Sequence, residues 1–349
     1  MQIRVALPED KSAWDAYVDS SEAAPYCRFA WKEAVEQAYG HKGYYLLAEE
    51  GDTITGILPL FYFRVPCCRA NLISLPYCDV GSVHADNPEI RSRLIQEALN
   101  LTKKLNSKTL EIRSSQANLL ADAIFDWHVS VQTEKVRMLL NLPNSSEELW
   151  QSFKSKLRSQ INKAEKNGLT FSWGNREMLD GFYQVFSRNM HDLGSPVHSK
   201  KWIEKIVDCF GENAQMGLVF HNDQPVGCGI ILHTKDTVSL PWASTLRKYN
   251  HMAPNMLLYW NLLRFAADNN FKTFDFGRST PNEGTYQFKK QWGATPEPLF
   301  WYQASATLNS READDKKSVK REILADLWTK MPFRMANSLG PKVRRYISL

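Results

Sequence analysis

The sequence of 349 residues has no long apolar run, because Pro, Arg or Asp interrupts its most hydrophobic stretches within about ten residues. A helix that crosses a bilayer is therefore not expected. The first residues, MQIRVALPEDKSAWDAY, also lack the extended apolar region and the small-residue cleavage site of a secretory signal. The sequence thus predicts a protein that stays in the cytoplasm.

Patterns typical of metal sites and disulfide frameworks are missing as well. The six cysteines form no C-x-x-C pair and have no ligand-like spacing to histidine, and no H-E-x-x-H segment occurs. We therefore expect free thiols and no metal ion. The net charge of +5 is mild, so it permits a polyanionic partner without requiring one.

The main pattern in the sequence is an internal repeat. Residues 31–40, WKEAVEQAYG, are similar to residues 202–211, WIEKIVDCFG, and Gly56 and Gly227 keep the same offset. In each copy two apolar segments then surround a polar turn, which predicts a β-hairpin. A duplicated unit is the simplest explanation.

Each copy continues with an amphipathic helix and a last strand, KTLEIRS at residues 108–114 and KTFDFGRS at residues 272–279. The order helix, hairpin, strand, helix, strand resembles the acyltransferase fold called GNAT. In that fold the sheet opens beside the last helix and admits an extended thioester or ester donor, whose phosphates face the helix N-terminus. Pro254 predicts the start of that helix in the second half.

The predicted fold class is α/β (α+β), with two tandem GNAT-like domains from an internal duplication. We expect the first domain at residues 1–145 and the second, which begins with a basic helix, at residues 146–305. Residues 306–349 form a basic C-terminal tail, in which an apolar stripe predicts a helix that ends at Pro332. This helix either docks on the second domain or contacts a membrane surface. The stripe consists of Ile323, Leu324, Leu327, Trp328 and Met331.

The halves differ at three stretches, and function is expected where the symmetry fails. The first stretch, residues 145–173, predicts a helix with several cations, among them Arg158 and Lys163, that ends at Gly168. These cations either form an ordinary solvated face or hold a phosphate or carboxylate of a substrate.

The second stretch, residues 186–206, contains a loop with His191, Asp192 and His198, followed by Ser199 as a predicted helix cap. The histidines and the aspartate are either polar loop residues or catalytic groups. In the second interpretation His191 or Asp192 takes the proton of an acceptor amine, and His198 contacts the substrate.

The third stretch, residues 274–301, places Arg278, Tyr286 and Lys289 after the end of a strand. Cations and aromatic rings at such a position suit an anionic or carbonyl-bearing ligand. Lys289 is predicted to stabilise the negative charge that develops on a tetrahedral intermediate. The aromatic residues nearby are expected to pack in the core.

These three stretches resemble the FemAB-related transferases, and in particular the subgroup associated with exosortase and exopolysaccharide (PEP-CTERM) systems. The matching segments are LRSQINKAEKNG, MHDLGSPVHSKKW and FDFGRSTPNEGTYQFKKQWG. FemAB-like proteins are similar to two fused GNAT domains. Their best-known members move an amino acid from aminoacyl-tRNA to the amine of a peptidoglycan precursor, and acyl-CoA is the donor assigned to others.

The resemblance implies a transferase that moves an acyl or aminoacyl group to an amine or hydroxyl of a cell-envelope or exopolysaccharide precursor. It implies no tightly bound cofactor, and it assigns Arg158, Arg278 and Lys289 to donor or acceptor contacts. Residues 247–253 lack the glycines of a GNAT pyrophosphate loop, and a helical hairpin for tRNA contact is not evident. Acyl-CoA and aminoacyl-tRNA therefore both stay open as donors.

Two alternatives accompany this prediction. The first is an aminoacyl-tRNA-dependent peptidyltransferase that acts on a peptidoglycan precursor. The second, from another functional class, is a catalytically silent GNAT pair that binds a glycan or a protein partner. In each case the expected location is the cytoplasm, with contact to the inner face of the membrane through the tail as an additional possibility.

Overall fold

The computed structural model describes residues 1–120, 127–306 and 324–349. Their strands form three sheets, each of which is described from one edge to the other. Sheet 1 contains β1 (Gln2–Val5), β3 (Leu46–Glu50), β4 (Thr53–Leu58) and β7 (His84–Ala85). Sheet 2 contains β2 (Lys42–Gly43), β5 (Phe61–Phe63), β6 (Asn71–Ile73), β8 (Leu110–Ser114), β17 (Phe300–Ser305) and β9 (His128–Gln132). Sheet 3 contains β11 (Leu169–Gly174), β12 (Ala214–His221), β13 (Gln224–His233), β14 (Thr237–Thr245), β15 (Thr273–Ser279), β10 (Val136–Asn141) and β16 (Thr295–Pro298).

Helices cover the faces of these sheets. In the first half they are α1 (Lys11–Ser20), α2 (Phe29–Tyr39) and α3 (Pro88–Lys104). In the second half they are α4 (Ser146–Ser152), α5 (Ser155–Lys166), α6 (Leu179–Asp192), α7 (Lys200–Phe210), α8 (Pro254–Asp268) and α9 (Gly284–Lys290). Near the end of the chain residues 324–330 are helical, and α10 (Phe333–Arg344) follows.

The duplication predicted from the sequence is present in the topology. Hairpins β3–β4 and β12–β13 turn at the predicted polar residues, where Gly51 and Asn222 have positive φ angles of 60° and 48°. Each half then has one parallel strand pair, β6 with β8 and β14 with β15, joined through a long helix. Helix α8 begins at Pro254, as predicted.

The halves exchange strands, which the sequence did not suggest. Strand β10 comes from the first half but lies between β15 and β16 in sheet 3, whereas β17 comes from the second half and joins β8 and β9 in sheet 2. The expected boundary between residues 145 and 146 therefore does not separate the sheets. Each exchanged strand pairs backbone groups that would otherwise be left at a sheet edge.

The two repeated helices meet at the centre of the molecule. Helix α2 packs on α7, and the equivalent rings of Trp31 and Trp202 lie edge to face with centroids 5.3 Å apart. Trp242 stacks on Trp31 at 6.3 Å, and Tyr39 stacks on Trp202 at 5.3 Å. The Ser199 hydroxyl accepts a hydrogen bond from the Trp202 amide at 3.0 Å, so the predicted cap is confirmed. One aromatic core thus holds both halves together.

The tail partly follows the prediction. Residues 324–330 are helical, and Pro332 lies between them and α10, a second helix that was not predicted from the sequence. Helix α10 packs on α6 through a side that contains the buried Ala336 and Gly340. Ile323 of the predicted stripe lies outside the described residues. In the described ranges, no helix combines the length and apolarity that crossing a membrane requires.

Candidate active site

Sheet 3 opens between β14 and β15. The two strands pair only from Thr237 and Thr273 to Ser239 and Asp275, although β14 continues to Thr245 and β15 to Ser279. A cavity of about 170 Å³ lies beside the unpaired end of β14 and the first turns of α8. It is lined by Asn189, Ala243, Ser244, Thr245, Asn255, Leu258, Tyr259 and Phe288. We call it the strand-gap cavity.

The start of α8 lies beside this opening but supplies few free backbone donors, because Pro254 has no N–H and the Met256 amide donates to the Ala253 carbonyl at 3.0 Å. Its N-cap residue is Ala253, which has a positive φ of 63° and no side chain that could accept from the first turn. Unpaired amides at a helix N-terminus favour an anion. The preceding residues, Arg247–Met252, form a 3₁₀ helix where GNAT proteins have the glycine-rich loop.

Lys289 is buried next to the end of β15. Its Nζ donates hydrogen bonds to the carbonyl oxygens of Gly277 at 3.0 Å and Arg278 at 2.8 Å. Burial lowers the pKa of its ammonium from 10.5 to about 8, although the carboxylates of Asp79 and Asp275 oppose this shift. Because an ammonium has three donors, two carbonyls leave one donor for a further acceptor.

The backbone at the end of β15 is shaped for this contact. Gly277 has a φ of 75°, and its amide donates to Asp275 Oδ1 at 2.8 Å. Burial raises the pKa of the Asp275 carboxyl, and the nearby Arg137 guanidinium, 3.7 Å away, acts in the opposite direction. The β-bulge at Gly277 therefore directs the carbonyl oxygens of residues 277 and 278 toward Lys289.

We predict that Gly277→Ala lowers the free energy of unfolding by about 1–2 kcal/mol, because an L-residue with a Cβ is strained at this positive φ. The matched control is Gly284→Ala, since a Cβ at Gly284 meets nothing within 4 Å and a helix favours alanine. Chemical denaturation of both variants measures the difference. Equal stability of the two would contradict the role given to the bulge at Gly277.

Arg278 connects the second half with the first. Its amide donates to Asp79 Oδ2 at 3.1 Å, and its Nε lies 3.4 Å from Asp79 Oδ1. Its guanidinium lies over the ring of Trp301 at 5.1 Å, and the guanidinium of Arg113 lies over the same ring at 5.0 Å. Arg113 and Arg278 occupy matching places in KTLEIRS and KTFDFGRS. The duplicated arginines therefore flank one tryptophan.

Arg113 is 1 % exposed and holds the last residues of the sequence. Its guanidinium donates to the Cys78 carbonyl at 2.8 Å, to the Ser348 carbonyl at 3.2 Å and to Ser348 Oγ at 3.0 Å. The Tyr77 amide also donates to the Ser348 carbonyl, at 2.6 Å, and the Tyr77 hydroxyl donates to the Arg345 carbonyl at 2.6 Å. The end of the tail is thus part of the contact between the halves.

His191 lies at the end of α6 against the tail. Its Nε2 is 2.8 Å from the Met331 carbonyl, and since a carbonyl only accepts, Nε2 carries the hydrogen in the neutral ring. Nδ1 then keeps its lone pair; it is buried, has no hydrogen-bond partner among the described residues, and lies 3.8 Å from Asp192 Oδ1. The ring therefore has the tautomer that a proton acceptor at Nδ1 requires.

A second cavity, of about 540 Å³, lies between α6, the 3₁₀ helix after β14, and α10. We call it the α6 cavity. Tyr183, Leu246 and Phe333 give it apolar walls, whereas Arg247 and Lys248 add positive charge. It is lined by Asp180, Tyr183, Gln184, Ser187, Arg188, Asp192, Leu246, Arg247, Lys248, Phe333 and Asn337. Its size is typical of a small-molecule site.

Both cavities are lined by residues at the end of β14 and on α6. At each of these places the lining residues of the two cavities are adjacent in sequence. Ser244 and Thr245 line the strand-gap cavity, and Leu246 lines the α6 cavity. On α6, Asn189 belongs to the first and Arg188 to the second, and Asn189 donates to Ser244 Oγ at 3.0 Å. The two cavities therefore lie beside each other at the end of β14 and along α6.

His198 lies inside the aromatic core. Its Nδ1 is 2.8 Å from the Tyr39 hydroxyl, and its ring stacks on Trp202 at 5.8 Å. Burial holds the pKa of this imidazole well below 6.5, so it stays neutral near pH 7. These contacts account for His198 as a core residue, and its contact with a substrate remains a prediction.

The other predicted binding residues lie on separate elements. Arg158, half-buried on α5, contacts the carbonyls of Trp150 and Gln151 at 3.4 Å, and Lys163 is exposed on the same helix. Tyr286 is half-buried on α9 with Lys290 6.0 Å from its ring centre. Lys289 and Arg278 are brought together directly and His191 adjoins Asp192, whereas Arg158 and Lys163 lie on a different element, α5.

Four residues of this region were not predicted from the sequence, namely Arg113, Asp79, Asn189 and Ser244. Arg113 could have been found from its match with Arg278 in the repeat. No sequence pattern pointed to Asp79, because it lies on a loop of the first half that reaches the second-half site only in the folded protein. Among the described residues, no group of three or more His, Cys, Asp and Glu could hold a metal ion.

Comparisons with known proteins bear on the fold. Residues 151–290 match the sequence profile of the family described as an acetyltransferase (GNAT) domain. No curated protein sequence matches the chain. The solved structures that are similar share little sequence with it, so they inform on the fold alone.

The structure called FemX has a TM-score of 0.68 and 14% identity, over 86% of this chain and 97% of that chain. L-PGS from Bacillus licheniformis has a TM-score of 0.57 and 12% identity, over 93% and 98% of the two chains. A tandem GNAT protein from the clavulanic acid biosynthesis pathway has a TM-score of 0.53 and 11% identity, over 88% and 99%.

The fold class predicted from the sequence is therefore confirmed: the chain is a mixed α/β protein with two tandem GNAT-like units. Its tandem arrangement is similar to the fold of FemX.

Proposed function

We propose that this protein is a transferase that moves an acyl or aminoacyl group from an activated donor to an amine or hydroxyl of a cell-envelope or exopolysaccharide precursor. The observation that carries the proposal is the gap between β14 and β15, with the strand-gap cavity and the start of α8 beside it. Such an opening accepts an extended donor along the unpaired backbone of β14. The exosortase-associated subgroup remains part of this proposal.

The donor carbonyl would lie in the strand-gap cavity. Phe288 on α9 and Asn189 on α6 both line this cavity. Each is close in sequence to a predicted catalytic group, Phe288 to Lys289 and Asn189 to His191. The remaining donor of Lys289 suits an oxyanion that forms on the carbonyl oxygen. A fixed, buried ammonium is effective here because little water screens its charge.

The acceptor would enter from the α6 cavity, where Arg247 and Lys248 offer charge to a phosphate or carboxylate and Tyr183 and Phe333 offer apolar contacts. Its amine or hydroxyl attacks the acyl carbon, a carbon–nitrogen or carbon–oxygen bond forms, and the thioester or ester bond to the donor breaks. Asp192 lines the α6 cavity, and His191 Nδ1 lies 3.8 Å from Asp192 Oδ1. This pair of residues receives the acceptor proton. The leaving thiolate or alkoxide takes up a proton in turn.

The first test is a thermal-shift titration with acetyl-CoA, longer acyl-CoAs, free coenzyme A and aminoacyl-tRNA. A donor at a hundredfold excess over its dissociation constant raises the free energy of unfolding by about 3 kcal/mol. We expect one donor class to produce this shift, and Ser244→Trp, which fills the strand-gap cavity, to abolish it. The control is Ser172→Trp on β11, an exposed serine that makes the same substitution and does not line that cavity.

A shift with acyl-CoAs identifies the donor as a thioester despite the missing glycines, and a shift with charged tRNA alone selects the aminoacyl donor. No shift with any of these ligands, in a folded sample, contradicts the proposed transfer and favours a silent binding protein.

A further inference from the structure

Large apolar side chains that are strongly exposed concentrate near the end of the chain. Leu324 and Leu327 lie on the helical residues 324–330, and Met335, Leu339 and Val343 lie on α10. They are between 40% and 63% exposed. Exposed apolar residues that concentrate in one segment of the chain mark an interaction site more often than scattered leucines do. We call these five residues the apolar stripe from here on. The set differs from the stripe predicted from the sequence, because it includes three residues of α10.

The stripe is exposed because α10 uses its other side for packing. Met335, Leu339 and Val343 recur at every fourth position and so follow one side of the helix. Ala336 and Gly340 are buried, and a Cβ at Gly340 would lie 3.1 Å from the Val197 backbone, so the helix sits tightly on its support. The outward stripe is thus a second apolar face on a helix that is already docked.

Positive charge accompanies the stripe. Residues 324–349 contain a single acidic residue, Asp326, among several Lys and Arg residues. Arg334 and Lys342 are exposed on α10, and neither forms an ion pair among the described residues. Arg345, in contrast, turns inward and donates to the Tyr39 carbonyl at 2.6 Å. The outer surface of α10 therefore combines exposed apolar groups with unneutralised cations.

This combination fits one kind of partner. A twofold contact between copies of the chain would bring the same cations against each other. Nucleic acid would be attracted by the cations but would leave the stripe exposed to water. An anionic bilayer satisfies both, since its headgroups attract the cations and its acyl boundary buries the apolar side chains.

We propose that the apolar stripe, together with Arg334 and Lys342, binds the surface of an anionic membrane. The inference does not depend on the transfer reaction, because it rests on the exposed surface of the tail alone. It adds a location to the proposed function: Phe333 and Asn337 of the same helix line the α6 cavity, so an acceptor linked to a lipid would meet this cavity at the bilayer.

The experiment is co-sedimentation of the full chain with vesicles of phosphatidylcholine alone, or of equal parts phosphatidylcholine and phosphatidylglycerol. We expect binding to the anionic vesicles and little to the neutral ones. The variant Met335→Glu/Leu339→Glu should weaken binding by about tenfold or more, because it removes two apolar contacts and adds negative charge. Lys342→Ala should weaken it by about fivefold, the effect of one cation near a charged surface.

The matched control is Leu7→Glu/Val131→Glu, which makes the same charge change at two exposed apolar residues away from the tail. It should retain most of the binding, and all variants should keep the thermal stability of the parent because the changed residues are exposed. Absence of binding to anionic vesicles overturns the proposal. So does a concentration-dependent oligomer that Met335→Glu/Leu339→Glu dissociates, since a second copy then covers the stripe. Because no donor or acceptor enters the assay, its result is independent of the transfer test.

Discussion

Replacement of Lys289 by methionine should reduce transfer by about 10²–10³-fold, the usual effect of removing one donor to an oxyanion. Methionine keeps the length of the apolar stem and removes the ammonium that contacts the carbonyls of Gly277 and Arg278. The matched control is Lys290→Met, because Lys290 is the exposed neighbour on the same helix. Turnover is measured with the donor class that stabilises the protein, after circular dichroism has shown that both variants are folded.

The pH dependence separates a catalytic role from a structural one. With a pKa of about 8, Lys289 loses its charge as the pH rises, so transfer should decline on the basic side with a midpoint near this value. Lys289→Arg should lack this decline, since a guanidinium stays charged. Full turnover in a folded Lys289→Met variant would falsify the role of oxyanion stabiliser.

The free energy of unfolding should also depend on the protonation of Lys289, but it should rise with pH in the range where transfer declines. The pKa of Lys289 is about 8 in the folded protein and 10.5 without burial, so the unfolded state binds more protons between these values. Burial of the charge therefore costs free energy below about pH 8, and this cost of about 3 kcal/mol disappears as the pH approaches 10.5. The difference in unfolding free energy between the parent and Lys289→Met should change accordingly across this range.

Arg113→Ala should lower the free energy of unfolding by about 3–5 kcal/mol, because it breaks a buried ion pair and leaves several acceptors unpaired. Arg113 lies 2.7 Å from Glu111, and it also holds the Cys78 carbonyl, Ser348 and the ring of Trp301. The loss should appear as a lower midpoint of urea denaturation.

The control for this variant is Arg69→Ala. Arg69 is exposed and bonds Asn106 at 2.7 Å, so its removal should change stability by no more than about 0.5 kcal/mol. Arg113→Lys should be intermediate, because an ammonium keeps the charge but lacks the planar fork that reaches several acceptors. If Arg113→Ala is no more harmful than Arg69→Ala, the tail and the loop at Cys78 are held by other contacts.

Much of the architecture was predictable from local pattern. The hairpin turns, the cap at Ser199 and the start of α8 at Pro254 depend on a few neighbouring residues, and all are found as predicted. The helix α10 was missed because its Gly340 and Pro341 read as helix breakers. Tertiary packing overrides this preference, since Gly340 is what permits the close approach to Val197.

The candidate site was predictable only in part. Lys289 and Arg278 were found because they follow the same strand end, and the structure joins them through one hydrogen bond. Asp79 and Ser348 reach this region from distant parts of the sequence, so no spacing pattern announces them. Arg158 and Lys163 show the opposite situation. The basic helix can be recognised in the sequence, but its position relative to Lys289 and Arg278 is set by the fold.

The sequence by itself determined the duplication, the order of elements in each half and the tandem GNAT-like class, because repeated patterns of apolar residues and turns act locally. Only the tertiary structure decided that β10 and β17 are exchanged between sheets, that Arg113 and Arg278 flank Trp301, and that the tail shows an apolar stripe to solvent. These features depend on strand pairing and side-chain burial between segments far apart in the chain. Such contacts are selected by the free energy of the whole fold, and a local pattern does not contain them.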